Sequence, residues 1–299
     1  MTPTAQGHLA MLAFSALVAG SFSLGSMVAN EIDPAALTAV RFLIAGLAIG
    51  AIAYATGGIP REATRAPWRY LVLGGLFATY FVLMFEGLKT ASPVSAAAVF
   101  TLNPLMTAGF AWLLLRQVTT PRMGVALSIG AVGALWVVFR ADLGRLLALQ
   151  VGWGEMIYFV GCIAHALYAP MVRLLNRGES AIIFSLGTII AGFLLVGGWA
   201  LPAILRTDWL ALSWLVWFTI FYVALAASAI TFVLLQFSTL RLPSAKVLAY
   251  TYLTPSWVLL WELALGNGVP PLLILCGVGM TVVALILLLK DEEAKVQAA

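Results

Sequence analysis

The sequence predicts an all-α membrane protein whose ten transmembrane helices form two inverted five-helix repeats around a central cavity. The first supporting observation is composition, because 63% of the 299 residues are hydrophobic and only 9% are charged, whereas a soluble domain has about 25% charged residues. The second is a series of ten apolar runs long enough to cross a bilayer. The third is a proline-centred motif that occurs twice, 151 residues apart.

Short polar connections separate the ten apolar runs. A helix needs about 17 to 25 residues to cross the ~30 Å hydrocarbon layer. Connections such as "NEIDP", "RQVTTP", "NRGES" and "GNGVPP" carry the polar residues, glycines and prolines that end helices. No soluble domain is expected between the runs. The predicted spans are 9–29, 35–55, 69–89, 93–115, 122–139, 153–173, 180–201, 211–239, 243–265 and 270–289.

Lysine and arginine predict the orientation. If the amino terminus is cytoplasmic, eleven of the sixteen basic residues fall in inside connections or at the inner ends of helices. Basic residues are enriched on the cytoplasmic side of membrane proteins. We therefore expect a multi-pass protein of the cell inner membrane with both termini in the cytoplasm. The net charge of +4 is interpreted as a topology signal, and no nucleic-acid partner is expected.

The repeated motif relates the two halves of the chain. The segment "YFVLMFEGLKTASPVSAAAVFTLNPLM" aligns with "TFVLLQFSTLRLPSAKVLAYTYLTPSW", which pairs Phe81 with Phe232 and Pro104 with Pro255. The predicted repeats are residues 1–145, with helices one to five, and residues 146–299, with helices six to ten. Because five is odd, the second copy enters the membrane from the opposite side. Inverted repeats of this kind are typical of alternating-access transporters, whose substrate site lies near the midplane.

The two prolines predict breaks in the fourth and ninth helices. Proline has no N–H and crowds the carbonyl four residues earlier, so Pro104 and Pro255 should free the carbonyls of Phe100 and Thr251. Free carbonyls at membrane depth are tolerated only where protein or a water-filled cavity satisfies them. Kinks at symmetric positions therefore indicate the wall of a central cavity and a role in gating.

Four motifs, taken in order, resemble a known family. They are "DPAALTAVRFLIAGL", "LNPLMTAGFAWLLL", "GEMIYFVGCIAHALYAPMVRLL" and "YLTPSWVLLWELALG". The chain resembles the EamA-type members of the drug/metabolite transporter superfamily, and in particular the YddG-type exporters of aromatic and other amino acids. The resemblance implies ten helices, a cavity between the halves, and export or permeation of small metabolites. The chain departs from the family at "LVAGSF" on the first helix, at His165 and at Asn103, where family members often carry tryptophan or another aromatic residue.

Helical spacing selects the candidate substrate-binding side chains, since residues three or four positions apart share a face. Together they would form a pocket with aromatic and thioether walls and a few hydrogen-bonding groups, which suits a small zwitterion with an apolar side chain. A lipid-facing or packing role remains the alternative for each aromatic residue. The candidates are Tyr80, Met84, Asn103, His165, Tyr168, Tyr250 and Thr254.

Ionisable residues inside the spans suggest a charge network and a coupling mechanism. Arg41, Glu86 and Glu262 come near the outer ends of their helices, where they would either pair as an outer gate or reach the interface, the favoured alternative. An imidazole with an ordinary pKa titrates near neutral pH, so His165 would suit a proton carrier. Because no carboxylate partner is evident, facilitated diffusion is expected and proton-coupled antiport of drugs or other small metabolites is the alternative.

The sequence lacks the motifs that would indicate an enzyme. No pair of helix-borne aspartates occurs, and no strained serine turn, phosphate-binding glycine loop or metal cluster is found. Cys162 and Cys276 are interpreted as packing residues, and no cofactor is expected. The expected function is export of amino acids, aromatic or otherwise apolar, and of related metabolites. The expected partners are an amino acid-like small molecule and the lipid bilayer, with the protein a monomer or a weak homodimer that associates through helices five and ten.

Overall fold

The computed structural model describes residues 2–118, 120–148, 151–268 and 271–297. Helices are the only regular secondary structure in these residues. A 3-10 turn lies at Arg61–Thr64, a second at Tyr250–Leu253, and a π-helical segment at Leu225–Ile230. The α-helices are α1 Pro3–Val28, α2 Pro34–Ala55, α3 Trp68–Leu88, α4 Pro93–Phe100, α5 Asn103–Leu115, α6 Pro121–Val138, α7 Leu143–Leu147, α8 Trp153–Leu175, α9 Ala181–Trp199, α10 Leu201–Arg206, α11 Trp214–Ala224, α12 Thr231–Thr239, α13 Ser244–Ala249, α14 Thr254–Ala264 and α15 Leu272–Gln297.

Nine helical stretches in the described chain are long and apolar enough to cross a membrane. In this count α4 and α5 form one stretch, as do α11, the π-helical segment and α12. The predicted span 243–265 is present as α13, the second 3-10 turn and α14, each too short to qualify alone. The all-α membrane fold is therefore confirmed.

Polar caps followed by proline fix where several spans begin. The cap oxygen accepts a hydrogen bond from a backbone N–H of the first turn, and proline fits the first helical position because its missing N–H has no helical partner there. Asp33, for example, accepts from the amides of Ala35 and Ala36 at 2.8 and 3.0 Å. The cap–proline pairs are Thr2–Pro3, Asp33–Pro34, Ser92–Pro93 and Thr120–Pro121.

Helices from the two halves of the chain pack against each other. In the described chain α3 contacts α8 and α9, α2 contacts α9, and α6 contacts α15. The approach is close where glycines meet. A Cβ on Gly74 would lie 2.4 Å from the backbone nitrogen of Gly192 in α9, and one on Gly87 would lie 2.6 Å from the carbonyl oxygen of Gly154 in α8. Small residues allow this approach in membranes, where helices associate by van der Waals packing.

Both predicted proline breaks are present. α4 ends at Phe100 and α5 begins at Asn103, one residue before Pro104. In the second half, α13 gives way to the 3-10 turn before α14 begins. The division of the chain at residues 145 and 146 falls inside α7 and remains a prediction.

Candidate substrate site

A small closed cavity lies where α1, α2, α3, α4 and α8 meet the π-helical segment and α12. Its volume is about 10 Å³, roughly the space that one water molecule requires. The helices of both halves contribute to the wall, whereas α6, α9 and α15 do not. The cavity is lined by Phe14, Val18, Ser21, Arg41, Phe77, Tyr80, Phe81, Met84, Phe100, His165, Ala227, Thr231, Phe232 and Leu235.

Aromatic rings from both halves fill most of the space around the cavity. The ring centroids of Phe77 and Phe232 lie 4.2 Å apart, and those of Phe77 and Phe81 lie 5.3 Å apart. Tyr80 stacks on Phe100 at 5.8 Å. These separations are typical of favourable aromatic pairs. The rings therefore pack against one another in the absence of a ligand and leave only a residual void.

Among the residues that the structure describes, Arg41 is the one lysine or arginine that lines the cavity, and it is fully buried. Its Nε donates to Ser228 Oγ at 2.5 Å, and its Nη2 donates to the carbonyl of Ala227 at 2.7 Å. The guanidinium carbon lies 3.5 Å from the centroid of the Phe81 ring. Nη1 has no hydrogen-bond partner within the described chain. A buried cation is therefore held only by neutral groups.

The π-helical segment Leu225–Ile230 supplies both hydrogen-bonding partners of Arg41. Single π-helical turns are rare and often occur at functional sites. This segment interrupts the transmembrane stretch Trp214–Thr239 near its middle. Arg41 consequently joins α2 to the irregular centre of a helix in the other half.

His165 lies within the ring cluster. Its ring centroid is 4.5 Å from that of Tyr80, 5.1 Å from that of Phe100 and 5.4 Å from that of Phe77. Its Nδ1 is buried, with no hydrogen-bond partner among the residues that the structure describes. No aspartate or glutamate of the described chain lines the cavity with it. The histidine thus contributes a polar edge to an otherwise apolar ring surface.

Three of the predicted substrate-binding residues, Tyr80, Met84 and His165, line the cavity. The repeat alignment adds a further relationship. Tyr80 aligns with Thr231 and Phe81 aligns with Phe232, and all four side chains line the same cavity.

The other four candidates are buried outside the cavity wall. The side chain of Asn103 donates to the Phe100 carbonyl at 2.8 Å, and the Tyr168 hydroxyl accepts from Gln236 Nε2 at 2.7 Å. The remaining two are Tyr250, whose hydroxyl lies 3.1 Å from His8 Nδ1, and Thr254, which is fully buried at the start of α14.

The structure does not bring Arg41, Glu86 and Glu262 together. Glu86 pairs with Lys89 at 2.7 Å, and Glu262 accepts from Asn267 at 2.9 Å. Arg41 instead extends into the bundle, because the π-helical segment offers it two acceptors there. The predicted outer charge network is therefore not formed.

Sequence reasoning missed Arg41 as a cavity residue, together with most of the phenylalanines. Phe14 and Phe77 carry no sequence signal that separates them from lipid-facing phenylalanines. Phe81 and Phe232 did carry one, because the repeat alignment pairs them. Aromatic residues that align between the repeats near the membrane midplane would have identified cavity-lining residues better than helical spacing alone.

Contacts between the halves close both sides of the bundle. On the side of the amino terminus, Arg69 Nη2 pairs with Glu179 at 2.6 Å and Nη1 donates to the Leu175 carbonyl at 2.6 Å. On the other side, Ser95 donates to Glu155 at 2.8 Å. Polar contacts between the halves are thus present on both sides of the bundle.

The carboxyl of Glu179 lies in the connection between α8 and α9, outside the spans. Burial alone would raise its pKa, but the hydrogen bond from Arg69 and that from the Arg177 amide outweigh burial and hold the pKa below its usual value. The carboxylate is therefore charged when it pairs with Arg69.

The first part of the chain is similar to a known protein family. Residues 5–139 match the model of the EamA-like transporter family. This part of the chain is similar to the EamA-like transporter family. The similarity agrees with the expectation of a transporter rather than an enzyme.

Two relatives and one solved structure extend the EamA-like match. An uncharacterized transporter of Bacillus subtilis (strain 168), YyaM, is 28% identical over 188 residues, which cover 62% of this chain but only 61% of that relative. An uncharacterized transporter of Archaeoglobus fulgidus is 24% identical over 258 residues, 83% of this chain and 85% of the relative. A crystal structure of another protein covers 95% of this chain and 96% of its own, with a TM-score of 0.71 and 21% identity, and shares the fold.

Proposed function

We propose that the protein carries a small organic metabolite across the membrane by alternating access, with the ring-lined cavity as its substrate site. One observation carries the proposal. A small cavity lies between the two halves, and aligned residues of both halves, Phe81 and Phe232 among them, line it. Transporters built from inverted repeats bind substrate at such a position. The EamA-like match and the names of both relatives support the same function.

Amino acids with aromatic or other apolar side chains, and related small metabolites, are the proposed substrates, and export is the proposed direction. The support is a wall of aromatic rings with Arg41 and His165 as its polar groups. The cavity of about 10 Å³ is too small for an amino acid, so the rings must separate when substrate enters. Such a change is a shift toward a less populated conformation that the substrate stabilises.

Facilitated diffusion is the proposed mode, and proton-coupled antiport of drugs or other small metabolites is the alternative. His165 is the observation that favours the alternative, because imidazole is the side chain that titrates near neutral pH. Against it, no carboxylate accompanies His165 in the cavity wall, so a proton relay within the site would lack a second member.

The proposed setting is the cell inner membrane, with both termini in the cytoplasm and the protein a monomer or weak homodimer. Support for the weak dimer comes from α6 and α15, whose outer faces carry exposed apolar side chains. These include Val125, Val132, Val283 and Ile286, exposed by 47 to 59%.

Uptake of radiolabelled amino acids into proteoliposomes, with and without a pH gradient, tests the proposal. Saturable uptake that a second amino acid inhibits is expected, and a pH gradient should not change its extent. Phe232→Leu should reduce uptake, whereas the matched control Phe218→Leu should not, since Phe218 is 49% exposed on the outside of the bundle. Linear, uninhibited flux would contradict a carrier, and equal loss in both variants would contradict the cavity as the site.

A further inference from the structure

We propose that Arg41 binds the carboxylate of the substrate and that the substrate needs no positively charged group. The inference rests on the proposed function of the cavity and adds which part of the substrate is recognised. Its substrate class is an organic carboxylate with an apolar or aromatic body, with or without an amino group.

The unbalanced charge of Arg41 is the first argument. The guanidinium is fully buried, and its partners within the described chain are a hydroxyl, a carbonyl and an aromatic ring. Charged side chains at membrane depth are costly and normally pair with one another or line a substrate path. Arg41 has no carboxylate in the cavity wall. An anion that enters the cavity would supply the missing counter-charge.

The geometry of the guanidinium is the second argument. Nη1 is buried without a hydrogen-bond partner in the described part of the chain, while Nε and Nη2 have theirs. The Phe81 ring covers one face of the group. An anion therefore approaches in the guanidinium plane, where the N–H groups point. A carboxylate suits this edge, because its two oxygens match the planar fork of arginine.

The absence of acidic residues from the cavity wall is the third argument. Glu86 and Glu155, the carboxylates of the helices that surround the cavity, are engaged elsewhere with Lys89 and Ser95. A substrate ammonium group would meet ring faces and the neutral side chains of Ser21, Thr231 and His165, and these groups provide a weaker interaction than an ion pair. The cavity thus distinguishes an acid from an amine of the same shape.

Substrate binding at Arg41 also affects the π-helical segment. A carboxylate bound at Nη1 attracts the guanidinium toward itself, in competition with the hydrogen bonds from Nε to Ser228 Oγ and from Nη2 to the Ala227 carbonyl. When Arg41 turns to the substrate, the hydrogen bonds that connect α2 to the centre of the α11–α12 stretch are weakened. Occupation of the site is thereby linked to movement of a helix in the other half.

Equilibrium binding to the purified full-length protein tests the inference with three radiolabelled ligands: phenylalanine, hydrocinnamate, which lacks the amino group, and phenethylamine, which lacks the carboxylate. The first two should bind and the third should not. Arg41→Gln should weaken binding of both acids at least tenfold, since a hydrogen bond to a charged group contributes roughly 10- to 100-fold. The control Arg145→Gln, at an exposed arginine, should bind as the wild type does.

Ser228→Ala provides a second variant if Arg41→Gln does not fold. It removes one competitor for Arg41, so hydrocinnamate should bind several-fold more tightly, and unchanged or weaker binding would overturn the competition. Binding of phenethylamine as tight as that of hydrocinnamate would overturn carboxylate recognition in the wild type itself. Equal binding of phenylalanine by wild type and Arg41→Gln would overturn the inference and leave the proposed function intact. Failure of all three ligands to bind the wild type would overturn both the inference and the aromatic substrate.

Discussion

The side-chain amide of Asn103 donates a 2.8 Å hydrogen bond to the carbonyl oxygen of Phe100, the acceptor that Pro104 leaves without a helical N–H. The residue beside the proline therefore satisfies the group that the proline frees. In the second half the corresponding carbonyl, that of Thr251, accepts from the backbone N–H of Thr254 in a 3-10 turn. Two aligned breaks thus use different donors.

Removal of the Asn103 amide should destabilise the protein only while Pro104 is present. Asn103→Ala leaves the buried Phe100 carbonyl unpaired, which costs about 1 to 3 kcal/mol. In Pro104→Ala the new N–H can bond to Phe100, so adding Asn103→Ala should cost markedly less. Free energies of unfolding of the wild type, both single variants and the double variant form the cycle that measures this coupling. Additive effects would show that the amide has another role.

The proline breaks are expected to matter for movement more than for recognition. Pro104→Ala and Pro255→Ala restore a hydrogen-bonding N–H and straighten the helix, so each should slow transport more than it changes the half-saturation concentration. Initial rates in proteoliposomes over a range of substrate concentrations measure both quantities. Pro60→Ala, in an exposed connection, serves as control. Unchanged turnover in both variants would remove the gating role.

His165→Ala should change the ranking of transported amino acids. The imidazole contacts Phe77, Tyr80 and Phe100 in the cavity wall, and its removal enlarges the space and takes away a polar edge. Larger side chains should gain relative to smaller ones when uptake of several amino acids is compared. His8 lies outside the cavity wall, so His8→Ala should keep the wild-type ranking of transported amino acids. An identical ranking in His165→Ala would contradict its placement at the substrate.

The pair between Glu179 and Arg69 should make stability depend on acid pH. Because the folded-state pKa of Glu179 is lowered, its stabilising effect is fully present above the unfolded-state pKa and is lost as pH falls through the lower folded value. Glu179→Gln should melt at a lower temperature than the wild type near neutral pH, and the difference should shrink as the pH is lowered below about 4.3. A difference in melting temperature that stays constant with pH would mean that the carboxylate does not contribute through its charge.

The sequence predicted the helices well because each signal was local. The length of the apolar run and the polar connections beside it placed α3 at 69–89, against Trp68–Leu88 in the structure. The span 243–265 was predicted as one span with a break at Pro255. The 3-10 turn at Tyr250–Leu253 was not predicted, because it depends on which donors the carbonyls near Pro255 find.

The site was less accessible, because its geometry depends on distant contacts. Arg41 was placed near the outer end of its helix, yet its acceptors, Ala227 and Ser228, lie 186 and 187 residues away on a π-helical turn that no sequence pattern indicated. Phe77 illustrates a second difficulty. In a chain with apolar residues on every helix face, amphipathic periodicity does not distinguish a cavity-facing ring from a lipid-facing one.

The π-helical segment makes the two halves unequal. The stretch that aligns with it, α3, is a regular α-helix throughout, whereas Leu225–Ile230 carries a wide turn. In the proposed alternating-access cycle, exchange of the two halves' conformations would therefore not reproduce the same molecule, and the states open to either side of the membrane would have different energies. A passive carrier must still keep the ratio of maximal rate to half-saturation concentration equal in both directions. The structural difference between the halves would then appear as a difference between the maximal rates for entry and exit. A passive carrier of this kind creates no gradient.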